Sequence, residues 1–436
     1  MRILILTLTE QRDTIVDNLL AKRLRSQYGH EVHVHNYIGA GRQSVPYMKP
    51  QVVVHPMVGG QYKRDFVKKC KEWGCVVVVR RGEAGASRES LARMDAERQG
   101  IVLGNWDYEQ YVDMELVWGP EFRDILVEKG KNVADKLRVC GGFAFDRYFQ
   151  QDCKRVRNRR KTALFATAWS TADSRVDHCE CGLPEESPYH SEIYTAHTEG
   201  RRLWIQAIRK LHELLGHEWE FTLKVRPGER TREYREKLAG IVEIYDEGFP
   251  AHEALKRTDL LIHAGSTMAV EAHIMGIPSV NFHNTNPDSL LACVCPRVES
   301  AEELEYHFRN TDINNSNVNS GVLRELQQRL YGTIDGLAHV RAAEHIDTYV
   351  RKHEDQIRPE IPDEWPKEPL YLEDGSEGHV ELPEDKENYE RWLCPCCKNF
   401  WYVGKEITTS KCIFCGMSIE KLKKSPLQAT ETTVLK

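Results

Sequence analysis

Short runs of aliphatic and β-branched residues recur through the first 150 residues, and the apolar positions between them fall at helical spacing. "RILILTL" (2–8) precedes a helical pattern from about Asp13 to Tyr28. "EVHVHNY" (31–37), "PQVVVHP" (50–56), the helix-like "GQYKRDFVKKCKEWG" (60–74) and "CVVVVRR" (75–81) continue the alternation. Runs that are apolar throughout, not at every second residue, mark parallel strands covered on both faces by crossover helices. The pattern restarts near Lys161 with "TALFATA" (162–168), the helix "RRLWIQAIRKLHELLG" (201–216), and the strands "EFTLKVRP" (220–227) and "GIVEIYD" (240–246). It ends in "LLIHAGSTMAVEAHIMGIPSVNF" (260–282), which reads as strand, glycine turn, helix and second strand. Two α/β halves of similar size predict two doubly wound, Rossmann-like domains facing a cleft.

The boundaries expected are 1–153 for an N-terminal Rossmann-like domain and 154–350 for a C-terminal one. Between them "KRVRNRRK" (154–161) reads as a solvated linker. Residues 351–390 are rich in Pro, Glu and Asp, poor in periodic apolar positions, and read as a linker; 391–420 form a small cysteine module and 421–436 a disordered tail. The segment 170–194, with His178, Cys179 and Cys181, reads as a specificity loop over the cleft, metal ligation being the alternative.

Composition narrows the function class. A net charge of -6 over 436 residues argues against a chain dominated by nucleic-acid binding. No stretch approaches the roughly 18 apolar residues that cross a bilayer, and the start has no secretory h-region. A cytoplasmic protein is expected. Five of the 13 cysteines crowd into residues 394–415, which fits a reduced compartment with one metal site better than a disulfide framework. Cys394-x-x-Cys397 and Cys412-x-x-Cys415 are separated by fourteen residues. Two such turns on paired hairpins deliver four thiolates to tetrahedral zinc, so a structural zinc ribbon is expected, its partner being nucleic acid or protein.

Three segments carry candidate cleft chemistry. Gly265, Ser266 and Thr267 join a strand's carboxyl end to a helix N-terminus, where backbone N–H groups and hydroxyls receive phosphate oxygens. Glu271, one turn later among small and apolar residues, needs a partner; ribose hydroxyls supply one, and a capping-box contact or a salt bridge accounts for it equally. Lys224 and Arg226 lie two apart at a strand end and so point to one face, a pair suited to a diphosphate. In the first half, Glu83 stands between glycines after a valine-rich strand, placed as general base toward an acceptor hydroxyl or simply as an exposed loop carboxylate.

Together "RGEAG" (81–85), "LVWGPEFRDILVEKG" (116–130), "LRVCGGFAFDRYF" (137–149), "KVRPGE" (224–229) and "HAGSTMAVEAHIMGIPSVNF" (263–282) resemble surface carbohydrate biosynthesis proteins. These are related to GT-B fold glycosyltransferases, Kdo transferases, CDP-glycerol glycerophosphotransferases and sugar-nucleotide 2-epimerases. The resemblance spans roughly residues 1–350. It implies a donor nucleotide held by Lys224, Arg226, His263, Gly265, Ser266, Thr267 and Glu271, with Glu83 catalytic and no metal at the cleft. The activity implied is glycosyl transfer from a nucleotide sugar to a hydroxyl acceptor; the alternatives are a sugar-nucleotide epimerase, or a non-catalytic protein that binds nucleic acid or a protein partner through its ribbon.

Overall fold

The computed structural model describes residues 1–7, 13–56, 61–81, 110–129, 134–156, 160–169, 172, 188–226, 229, 231–246, 248–282, 293–363, 389–393, 400–404, 409–411 and 418–420. In the first half, β1 (Arg2–Thr7), β2 (Glu31–Asn36), β3 (Val52–His55), β4 (Val76–Arg80), β5 (Met114–Val117) and β6 (Leu137–Val139) form a parallel sheet of order β2-β1-β3-β4-β5-β6. In the second, β7 (Lys161–Ala166), β8 (Trp219–Lys224), β9 (Glu243–Tyr245), β10 (Leu260–His263), β11 (Ser279–Phe282) and β12 (Arg297–Val298) form a parallel sheet of order β12-β11-β10-β7-β8-β9.

The continuous apolar runs are explained by what lies on either face. Ile3, Ile5, Val52, Val54, Val76 and Val78 enter one core, while Leu4, Leu6, Val53, Val77 and Val79 enter another across the sheet. The period-2 geometry of a strand is obeyed, but both destinations are dry. The second sheet repeats this, with Phe165, Leu260 and Ile262 on one side and Leu164, Ala166 and Leu261 on the other.

Late in the chain the path crosses back. Helix Ala338–Lys352 lays Ala342, Ala343, Ile346 and Val350 against Val16, Leu20 and Leu24 of helix Asp13–Tyr28, so the stretch expected as one domain from 154 to 350 contributes to two cores. Asp146, buried in the "FDRYF" segment, caps this crossover helix by accepting from the amides of Ala338 (3.1 Å) and His339 (2.7 Å). The Trp-Gly of the resemblance serves the same crossing. A Cβ on Gly119 would stand 2.4 Å from the Leu330 carbonyl, and one on Gly332 2.3 Å from the Trp118 carbonyl, so only glycine lets these backbones meet.

The described residues of the basic run at 154–161 make contacts with the second half while Lys154, Arg160 and Lys161 stay exposed. Arg155 pairs with Asp259 and donates to the Ile313 carbonyl at 2.7 Å, Arg160 donates to the Trp219 carbonyl at 3.1 Å, and Lys161 lies 5.3 Å from the centre of the Trp219 ring. These cations fasten the chain to the second half. At the far end, strands Tyr389–Leu393 and Phe400–Gly404 pair antiparallel, as do Thr409–Lys411 and Ser418–Glu420. Cys394, Cys397, Cys412 and Cys415 lie outside the described residues, as do Glu83 and residues 173–187. Among the described residues no helix is long and apolar enough to cross a membrane.

Candidate functional site

All strands of the second sheet run the same way, so the loops after β7, β8 and β10 gather at one edge, the usual ligand edge of an open α/β sheet. His263, the last residue of β10, is fully buried, and its Nδ1 accepts the amides of Gly265 and Ser266, each at 3.1 Å. Two donors aimed at Nδ1 put the ring proton on Nε2, which faces Cys295 Sγ at 3.1 Å. Burial drives the imidazole down to about 3 and the Cys295 thiol up to about 12, so the pair is neutral. Gly265 turns with φ +74, and its amide also reaches Asn281 Oδ1 on β11 at 3.1 Å.

This changes what the turn offers a ligand. The Gly265 and Ser266 amides point inward onto His263 and Asn281, and Ser266 Oγ accepts from the Met268 amide at 3.2 Å. Thr267 precedes helix Met268–Ile274 without capping it through its side chain, and neither its amide nor its hydroxyl has a partner among the described residues. The outward-facing donors are therefore Thr267 and the hydroxyl proton of Ser266.

Lys224 and Arg226 separate. Lys224 is buried, its ammonium donating to the carbonyls of Val225 and Asp246, both at 2.8 Å, which ties the loops after β8 and β9 together. Arg226 is exposed, its amide held by Thr167 Oγ1 at 2.9 Å. Beside it Glu229 is buried and accepts the Trp169 amide at 2.5 Å and the Tyr234 hydroxyl at 2.7 Å. Burial raises the Glu229 carboxyl, and those hydrogen bonds oppose it. His197, packed edge-on to Trp169 at 5.7 Å, is taken down to about 4 by burial and by the Arg226 charge.

Glu271 finds its partner within the protein. Only 7% exposed, it accepts the Tyr148 hydroxyl at 2.6 Å on Oε2. The capping-box alternative is not what the geometry realises. Sequence reasoning missed Tyr148, Glu229, Trp169, Asn281 and Cys295; Glu229 stood in the quoted "KVRPGE", but nothing local marked where its carboxylate would go.

This architecture, two parallel-sheet α/β halves of six strands each, is of the GT-B type. It is similar to the UDP-GlcNAc 2-epimerase from Methanocaldococcus jannaschii (TM-score 0.50, 13% identity, covering 80% of this chain and 100% of that one). The S. aureus MnaA-UDP co-structure (0.49, 13%, 80% and 97%) and the wall teichoic acid polymerase TagF (0.48, 10%, 82% and 89%) lie at similar distance. No family model and no curated sequence matches the chain.

Proposed function

We propose that this chain binds a nucleotide-activated sugar at the carboxyl edge of its second sheet and transfers the sugar to a hydroxyl acceptor presented by the first half. The observation that carries the reading is the outward set at that edge: Thr267 with the Ser266 hydroxyl after β10, and exposed Arg226 after β8. One strand, β7, separates β8 from β10. That places the two loops about 10 Å apart, room for a diphosphate with its ribose and not only a lone phosphate. Glu271 supplies the ribose-facing carboxylate, while His263, Gly265 and Lys224 hold the loops that present these groups. Cationic and backbone donors at the leaving phosphate make a catalytic metal unnecessary in this reading. Glu83 is the proposed base toward the acceptor, and the cytoplasm the proposed compartment.

A structural zinc belongs to the same proposal. Each Cys-x-x-Cys falls in sequence between the two strands of an antiparallel hairpin, Cys394 and Cys397 within 393–400 and Cys412 and Cys415 within 411–418, which is where knuckle ligands sit. The metal would hold those hairpins together and take no part at the cleft; nucleic acid or a protein is the proposed ribbon partner.

Epimerisation of the sugar nucleotide is the second reading, favoured by the fold match to an epimerase. Thermal shift against UDP, CDP, ADP and GDP tests nucleotide binding: stabilisation of several degrees by one of them supports the site. Labelled UDP-GlcNAc incubated without acceptor then separates the readings, since conversion under those conditions identifies an epimerase. A chain stabilised by no nucleotide, whose 391–420 region binds nucleic acid in a salt-sensitive way, would be a binding protein instead.

A further inference from the structure

Glu271 lies on helix Met268–Ile274, which follows β10 of the second sheet and packs Ala269 and Val270 into the first-half core, and the group that fixes it comes from the first half and packs its ring against the second-half cluster. Tyr148 lies in the segment Phe143–Phe149 that leaves the first sheet after β6, and its hydroxyl meets Glu271 Oε2 at 2.6 Å, the length of a charge-assisted bond. That segment is itself firmly seated. Phe145 packs edge-on to Trp118 at 5.6 Å and to Tyr331 at 5.3 Å, and Asp146 caps the crossover helix. Burial and the adjacent carboxylate push the Tyr148 phenol well above its ordinary range, so it remains a donor wherever the protein is folded. Tyr331 is a second phenol pushed upward by burial and by the Glu271 charge, but its buried hydroxyl has no hydrogen-bond partner among the described residues.

We infer that Tyr148 is a positioning residue: it orients the Glu271 carboxylate toward the ribose hydroxyls of the donor nucleotide and so couples occupation of the second-half site to the placement of the first half. The inference rests on the nucleotide reading above. A carboxylate offers about four lone-pair directions, and the bond from the phenol fixes how the group is turned. A nucleotide that engages Glu271 thereby pulls on the segment Phe143–Phe149, which Phe145 and Asp146 anchor to the first half.

The test compares UDP with 2′,3′-dideoxy-UDP, a probe pair that differs only at the ribose, on wild type, Tyr148→Phe and Tyr331→Phe. Wild type is expected to prefer UDP by about tenfold or more, the worth of hydrogen bonds to a charged group. Tyr148→Phe should cut that preference to about twofold with overall affinity for the dideoxy probe retained, whereas Tyr331→Phe, which removes a hydroxyl without a partner, should keep it. A Tyr148→Phe protein with wild-type preference overturns the inference and leaves the nucleotide reading standing; the probe pair is made on whichever base stabilises the chain, and a wild type that binds none of UDP, CDP, ADP and GDP overturns both. Should Tyr148→Phe not fold, Glu271→Gln with solution scattering decides. The inference requires loss of both the ribose preference and any UDP-induced contraction, and a variant that loses the preference yet contracts as wild type does refutes the coupling.

Discussion

The carboxylate of Asp146 accepts both the main-chain amide and the Nδ1–H of His339, each at 2.7 Å, across 193 positions of sequence. One buried side chain thus caps the helix that returns from the second half and holds the largely buried imidazole of His339. Asp146→Ala should cost about 2 kcal/mol, a lost N-cap together with buried amides left unpaired. Urea denaturation is expected to show a lower midpoint with an unchanged slope.

Arg226 and Lys224, adjacent in the sequence pattern, should respond to mutation in opposite ways. Lys224→Ala leaves the Val225 and Asp246 carbonyls without their donor and should destabilise by about 1–3 kcal/mol. Arg226→Ala should change stability by less than about 0.5 kcal/mol, as an exposed substitution does. Its nucleotide affinity should nonetheless fall by roughly tenfold, measured by calorimetry with the stabilising diphosphate. Equal nucleotide affinity in Arg226→Ala and wild type would remove Arg226 from the site.

His263 predicts an acid dependence. Its folded value near 3 lies below the ordinary 6.5, so between those limits the unfolded chain binds a proton that the folded chain refuses. Its contribution is complete above about pH 6.5 and is lost as pH falls toward 3, at up to about 1.4 kcal/mol per pH unit. Asp17, raised to about 6 by burial, works against this trend below pH 6, so the comparison must be between proteins that share it. His263→Asn, which retains an acceptor for the turn amides, should show an acid limb shallower by about one proton between pH 4 and 6 in urea titrations at successive pH values.

Tyr331→Phe is expected to be neutral or stabilising by up to about 1 kcal/mol, because the hydroxyl it removes is buried and unbonded among the described residues. Thermal denaturation checks this. A loss of several degrees would mean that the hydroxyl has a partner, such as an ordered water bridging to Glu271.

What was legible in the sequence was whatever depends on neighbours along the chain. The runs at 52–55, 76–80 and 260–263 announced buried parallel strands because each residue carries its own hydrophobicity, and the Gly265 turn announced itself through residue type. Hydrogen-bonding capacity was equally plain, but not where it is spent. Lys224 reads as a phosphate cation until the Asp246 carbonyl, contributed by the next loop, is known to be within 2.8 Å. Glu271 reads as needing a partner, which the sequence leaves open and which Tyr148 supplies from 123 positions away. The helix at 338–352 shows an amphipathic stripe, and a stripe states that some core will receive it without naming which one.

The crossing at Gly119 and Gly332 bears on how the molecule is made. Leu326, Leu330, Ala342, Ile346 and Val350 share one core with Val16, Leu20 and Leu24 and the β1 and β3 side chains, so a nascent chain that has emerged only as far as residue 153 lacks part of that core. That half therefore completes its core only when the polypeptide through residue 350 has left the ribosome.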